Sequence, residues 1–174
     1  MSIDLSRLNF SFTSPPLLIG GKAMEFYGLR QAGADIDFVI SAQDYARLID
    51  HAAKAGVGVV GIRVLAGGAL SGSAERHPIA SPPPEPIGSA MIYDADIDRA
   101  RRLVPLVEQG FAASLTEAAT RFALSSPAMG TILVGLATRQ EFEHSLAAVL
   151  KGPLPQAALD LLSILRQAFS GEPR

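Results

Sequence analysis

Residues 56–72, "GVGVVGIRVLAGGALSG", decide how the chain is to be read. The first six letters, Gly56 to Gly61, spell G-x-G-x-x-G. That pattern holds a pyrophosphate where a strand turns directly into a helix. Here the neighbours come in the reverse order. Upstream, "SAQDYARLIDHAAKAG" reads as a helix, with Ser41 as N-cap, Asp44 at the capping-box offset and Gly56 as the stop. Downstream, residues 57–65 are β-branched and apolar, the mark of a buried strand. Gly56 is therefore a helix stop, and Gly58 and Gly61 are small residues of a packed strand. No G-x-x-x-x-G-K-[ST] occurs either.

Working outward, the same alternation continues on both sides. "LLIG" (17–20) reads as a short buried strand stopped by Gly20-Gly21, residues 22–30 carry helix-forming letters, and "DIDFVIS" (35–41) reads as a strand. On the C-terminal side, residues 66–92 include "SPPPEP", which is neither helix nor central strand because proline lacks the amide and fixes φ. Residues 94–109 return to helical spacing, with Pro105 expected to interrupt it. "SLTEAATRFALSS" opens on Ser114 with Glu117 three residues on, a capping box. "TILV" (131–134) is a buried strand ended by Gly135. "TRQEFEHSLAAVL" is a helix capped by Thr138 with Glu141 at the box position, and "PQAALDLLSILRQAF" is a last helix opened by proline. Strands alternating with helices give an α/β fold with a largely parallel sheet of about four strands.

Bulk properties narrow the function classes. The 174 residues suffice for one ordinary domain or two very small ones. Hydrophobic residues make up 48% and charged residues 18%, enough apolar material for a core. Net charge is −2 with no Lys/Arg cluster, so no basic nucleic-acid face is expected. Cysteine is absent, which excludes disulfides and thiolate metal sites. "MSIDLSRLNFSF" lacks a basic segment followed by an apolar run, so no signal peptide is expected. No apolar run approaches the length of a membrane span, and a cytoplasmic location is the expectation.

The chemistry is expected at the C-terminal ends of two strands. "LAGGALSG" follows the first, and Gly67, Gly68 and Gly72 let backbone amides come close to an anion. Parallel α/β folds bind ligands at such edges, and β/α barrels hold phosphate after their last strands. After the second strand, Gly135 leads to the helix capped by Thr138, whose first amides face an incoming anion.

These pieces together resemble the C-terminal third of an aldo/keto reductase, over residues 51–171. The segments that carry the resemblance are "AGVGVVGIRVLAGGALSG", "SLTEAATRFALSSPAMGTILVGLATRQEFEHSLAAV" and "GPL". It implies the C-terminal half of a TIM-barrel-like fold, a partial (β/α) barrel of parallel strands, and an oxidoreductase that binds NADP (NADPH). By position, Leu65, Ala66, Gly68 and Leu70 would lie along the pyrophosphate, and Gly135, Thr138 and Glu141 would approach the adenosine end. The chain departs from the family pattern at several places. Ile62 stands where an aromatic residue often stacks on nicotinamide, Arg63 where serine is common, and Ser145 where asparagine is common. Ala137 replaces the usual basic residue near the 2′-phosphate, with Arg139 as the nearest compensating cation.

The family's reaction uses a tyrosine general acid helped by lysine, aspartate and usually histidine. A tyrosine acts in this way when a neighbouring cation lowers its pKa. Tyr27, Tyr45 and Tyr93, Lys22 and Lys54, and His51, His77 and His144 do not sit in that motif. The expectation is a fragment with no catalytic residues. Residues 10–50, with Gly20-Gly21 and then Asp35-Ile36-Asp37, resemble the opening of a nucleotidyltransferase-like domain. In that alternative Asp35 and Asp37, alternate residues of one strand, would hold Mg²⁺ for a nucleotide triphosphate. The sequence thus reads as a truncated or chimeric chain, residues 1–50 and residues 51–174, with its seam near residues 45–55. Uncovered strand edges would favour a homo-oligomer, and a non-enzymatic oligomerising α/β domain is the third reading.

Overall fold

A computed structural model describes residues 9–84, 92–167 and 169. Residues 1–8, part of the proline-rich stretch (85–91), residue 168 and residues 170–174 lie outside the described residues. The chain forms two compact units, Met1–Val59 and Val60–Arg174.

The first unit contains β1 (Leu17–Ile19), α1 (Gly20–Phe26), β2 (Asp37–Val39) and α2 (Ala42–Lys54). The expected parallel pairing does not hold here. β1 and β2 are antiparallel, with Leu17 opposite Val39 and Ile19 opposite Asp37. The end of β1 lies beside the start of β2, so the connection leaves and returns at one end. The seven-residue α1 packs on both strands and does not carry the chain back along the sheet. The expected burial of β1 fails as well. Leu17 is 64% exposed and Ile19 39%, because two strands cannot cover their own faces. β2 is shorter than the expected 35–41, so Asp35 precedes the strand and Asp37 opens it.

α2 matches its expected bounds, and its ends show why. The Ser41 hydroxyl accepts from the Asp44 amide at the N-terminus. At the other end Gly56 has φ +69°, its amide donates to Ala53 O at 3.1 Å, and Val57 N donates to Ala52 O at 2.8 Å. This is the two-bond stop that a left-handed glycine allows. The first glycine of the G-x-G-x-x-G pattern is thus a helix terminator.

The second unit begins with β3 (Val60–Gly61), which pairs in parallel with β4 (Thr131–Ile132). Both are much shorter than the nine- and four-residue strands expected, although Leu133 N still donates to Gly61 O at 2.8 Å. Val60 is 53% exposed and Leu133 59%, so these strands are not buried as expected. A Cβ on Gly61 would lie 3.2 Å from Met129 Sδ and 3.3 Å from Ile132 Cγ2, which makes it a close-packing glycine. Between the strands run a 3₁₀ segment Ala66–Ser71, a short one at Pro78–Ala80, α3 (Tyr93–Arg101), α4 (Pro105–Glu108) and α5 (Leu115–Ala123). α6 (Arg139–Leu150) and α7 (Gln156–Gln167) follow. Pro105 splits α3 from α4 as expected and starts α4 at its first turn.

The core of this unit gathers Leu106, Ala112, Ala118, Leu154, Ala158 and Leu162, with Leu103, Phe111 and Leu159 packed against it. It joins α4, α5 and α7. Each buried leucine contributes roughly 1.5–3 kcal/mol. α6 packs on α5, and α3 packs on the 3₁₀ segment, so the core sets the positions of both loops that follow the strands. Among the described residues, no helix is long and apolar enough to cross a membrane.

Candidate functional site

Within the second unit, the loop after β3 and the loop after β4 open into one groove of about 1060 Å³. The outer walls come from residues 75–84, the start of α5 and the inner side of α6. Such a volume is at the upper end of small-molecule sites.

The first wall is a glycine loop with unusual backbone geometry. Arg63 (φ +57°), Ala66 (+49°), Gly67 (+66°) and Gly68 (+103°) all have positive φ. Arg63 and Ala66 are side-chain-bearing residues in a region few of them adopt, so packing has to hold them there. The loop closes on Leu65, whose carbonyl accepts from Gly68 N at 2.8 Å and Leu70 N at 3.2 Å. A Cβ on Gly67 would strike Pro84 Cγ. A Cβ on Gly68 would come within 2.9 Å of Arg76 Nη1 and 3.0 Å of the Tyr93 hydroxyl. Glycine is required at both positions by conformation and by space.

Arg76 fastens this loop from outside. Its guanidinium donates to Gly67 O at 2.7 Å, to the Tyr93 hydroxyl at 2.6 Å and to Ala80 O at 2.7 and 2.9 Å. It also lies over the Tyr93 ring, 5.2 Å from the centroid. The Arg63 side chain, by contrast, has no hydrogen-bond or ion-pair partner among the described residues, and Arg63 lines the groove.

The second wall is the start of α6. The Thr138 hydroxyl accepts from Glu141 N at 3.1 Å, and the Glu141 carboxylate accepts from Ala137 N at 2.6 Å and Thr138 N at 3.3 Å. The expected capping box is present in full. The helix was expected to offer these amides to an anion. Instead, the amides of Ala137, Thr138 and Glu141 are taken by the chain's own cap. Arg139 pairs with Glu143 at 2.7 Å and is 90% exposed; unlike Glu141, it does not line the groove.

An ion cluster forms part of the groove's lining. Glu117, on α5, accepts from Arg121 at 3.0 Å and from Lys151 at 2.7 Å. Burial raises the Glu117 pKa, but hydrogen bonds from Lys151, Arg121 and the Ala113 amide outweigh it, and the net direction is down. Arg121 also donates to the carbonyls of Phe111, Gly152 and Pro153, which ties α5 to the turn before α7.

Of the expected cofactor residues, Leu65, Gly68, Gly135 and Glu141 line this groove. Ala66 and Leu70 belong to the 3₁₀ segment behind it, and Thr138 works as the cap. Arg63 and Arg76 are the groove residues that sequence reasoning left without a role. Arg63 had been noted only as a departure; Arg76 carries no local signal, since its partner Tyr93 is 17 residues away.

In the first unit, Asp37 lies against the start of α1, where a Cβ on Gly20 would strike its carboxylate. Asp35 lies outside the strand, so the alternation that was to align the two carboxylates is lost. No cluster of three or more His, Cys, Asp or Glu able to hold a metal occurs among the described residues. The carboxylate that matters structurally here is Asp44, fully buried, which accepts from Thr13 N, Thr13 Oγ1, Ser14 N, Ser41 Oγ and Arg47. Burial raises its pKa, but these donors outweigh it and bring it to about 2.

The model of the aldo/keto reductase family matches residues 35–166, three quarters of the chain. No curated protein matches it. The match takes in residues 35–50, including Asp35 and Asp37, and nothing supports the nucleotidyltransferase-like resemblance of the N-terminal stretch.

Proposed function

The chain belongs to the aldo/keto reductase family, a family of TIM-barrel-like oxidoreductases that bind nicotinamide dinucleotides, and on that premise we propose that it is a dinucleotide-holding oxidoreductase module. The observation that carries the reading is the single groove joining both strand-end loops, with the unpaired Arg63 on its wall. In this reading residues 51–174 form the cofactor-binding portion. The pyrophosphate lies along Leu65, Gly67 and Gly68, where the Arg63 guanidinium can take two phosphate oxygens at once. Gly135 and Glu141 face the adenosine end, next to the Thr138 cap.

The residues fit such a group. Gly67, Gly68 and the Arg63 side chain line the groove, which is large enough for an extended ligand. When bound, the nicotinamide supplies a hydride acceptor or donor. The chain's own residues hold and orient it. No catalytic tyrosine is assigned: the Tyr93 hydroxyl, bonded to Arg76 and Gly67 O, holds the glycine loop. In this reading the module binds the cofactor without turnover of its own. The outer edges of β3 and β4, with Val60 and Ile62 exposed, are proposed to support self-association.

The test is fluorescence titration of the chain with NADH and NADPH. Saturable binding that is lost in Gly68→Trp is the expected result. Absence of binding, with Mg-ATP shifting the melting temperature instead, would overturn the reading. A monodisperse monomer by light scattering would remove the self-association.

A further inference from the structure

We propose that this groove selects the dinucleotide whose ribose carries a free 2′-hydroxyl, NAD(H), over its 2′-phosphorylated form. The inference rests on the dinucleotide reading above and concerns its adenosine end. Three observations converge there. The groove wall at the start of α6 is the Glu141 carboxylate, fixed in place by Ala137 N and Thr138 N. The Ala137 and Thr138 amides are thus already occupied by an anion. Among the described residues no lysine or arginine lines the groove at the start of α6: Ala137 lines it, while Arg139 pairs with Glu143.

The remaining lysine of the groove, Lys151, sits at the other end of α6, about 15 Å along the helix at 1.5 Å per residue, and is bonded to Glu117. Arg63 belongs to the glycine loop after β3. Positive charge is therefore placed for the pyrophosphate and negative charge for the ribose. A hydroxyl can donate to the Glu141 carboxylate, as ribose hydroxyls do to acidic residues in other dinucleotide sites. A phosphate there would meet a like charge, and it would have to displace the cap to reach the Ala137 and Thr138 amides.

The experiment compares NADH and NADPH binding by fluorescence on the full chain, alongside ADP-ribose and its 2′-phosphate by calorimetry. The expected result is NADH at least about tenfold tighter than NADPH, which corresponds to about 1.4 kcal/mol. Glu141→Gln keeps a side chain able to cap the helix but removes the charge, and it should narrow that ratio. Ala137→Lys should narrow it independently, leaving the cap untouched. Equal or tighter NADPH binding by the unaltered chain overturns the proposal while leaving the dinucleotide reading standing. Failure of all four ligands to bind overturns both.

Discussion

The Arg76 guanidinium donates to the Tyr93 hydroxyl at 2.6 Å, and both side chains donate to the same acceptor, Gly67 O, at 2.7 and 3.2 Å. Gly67 and Gly68 adopt positive φ, a conformation that favours no intrinsic stability in a free loop. The two side chains hold that conformation from α3 and from residues 75–84. The glycine wall of the groove thus depends on a three-residue knot, two of whose members, Gly67 and Arg76, line it.

Tyr93→Phe removes both hydroxyl contacts but keeps the ring under Arg76. It should cost about 0.5–1.5 kcal/mol and lower the melting temperature by a few degrees. Arg76→Ala should cost more, since it releases Gly67 O, Ala80 O and Tyr93 together, and it should open residues 75–84 to protease. Thermal unfolding and timed proteolysis report the two effects. Equal behaviour of the two variants would show that the arginine contributes nothing beyond the tyrosine.

Two glycines separate the competing readings of residues 56–72. Gly68→Ala places a Cβ near Arg76 and Tyr93 at φ +103°, so it should destabilise by roughly 1–3 kcal/mol and weaken dinucleotide binding. Gly58 has ordinary φ and open space around it, so Gly58→Ala should be neutral or stabilising by up to about 1 kcal/mol and leave binding intact. A G-x-G-x-x-G phosphate turn would require the opposite at Gly58. Denaturant unfolding and NADH titration of both variants decide.

Acid should weaken both units through different carboxylates. Glu117 and Asp44 both have folded pKa values below their ordinary ones of 4.5 and 3.8, Asp44 at about 2. A depressed carboxylate contributes stability that is full above its unfolded pKa and is lost as pH falls through the folded one. The melting temperature should therefore hold from neutral pH to about 4.5 and fall below that, with the Asp44 share lost between about 4 and about 2. Glu117→Gln should flatten the upper part of that fall. Calorimetry across the pH range checks it, and an unchanged profile in Glu117→Gln would exclude the Lys151–Glu117–Arg121 cluster as its source.

Thr138→Ala removes the hydroxyl from the cap of α6 and should cost about 1 kcal/mol, with Thr138→Ser close to the original protein. Hydrogen exchange at the first turn of α6 should rise in the alanine variant alone.

What could be read from the chain was local. Gly56 stops α2, Pro105 divides α3 from α4, and Thr138 with Glu141 caps α6. Each rests on residues within a turn of one another, where backbone stereochemistry and i to i+3 bonds dictate the outcome. The groove's components were legible for the same reason, because glycine loops and capped helices announce themselves. Burial and strand length were not. A run such as residues 57–65 is apolar enough for a core strand, yet only Val60 and Gly61 find a ladder partner.

The sequence by itself determined the α/β alternation, the ends of α2, the start of α6 and the two strand-end loops that line the groove. The tertiary structure alone decided the antiparallel β1–β2 register, the Arg76–Tyr93 knot, the Lys151–Glu117 pair 34 residues apart and the Asp44 clasp on Thr13, 31 residues back. These join residues far apart in the chain. No periodicity encodes such a pair, and packing fixes it only once the loops between have closed.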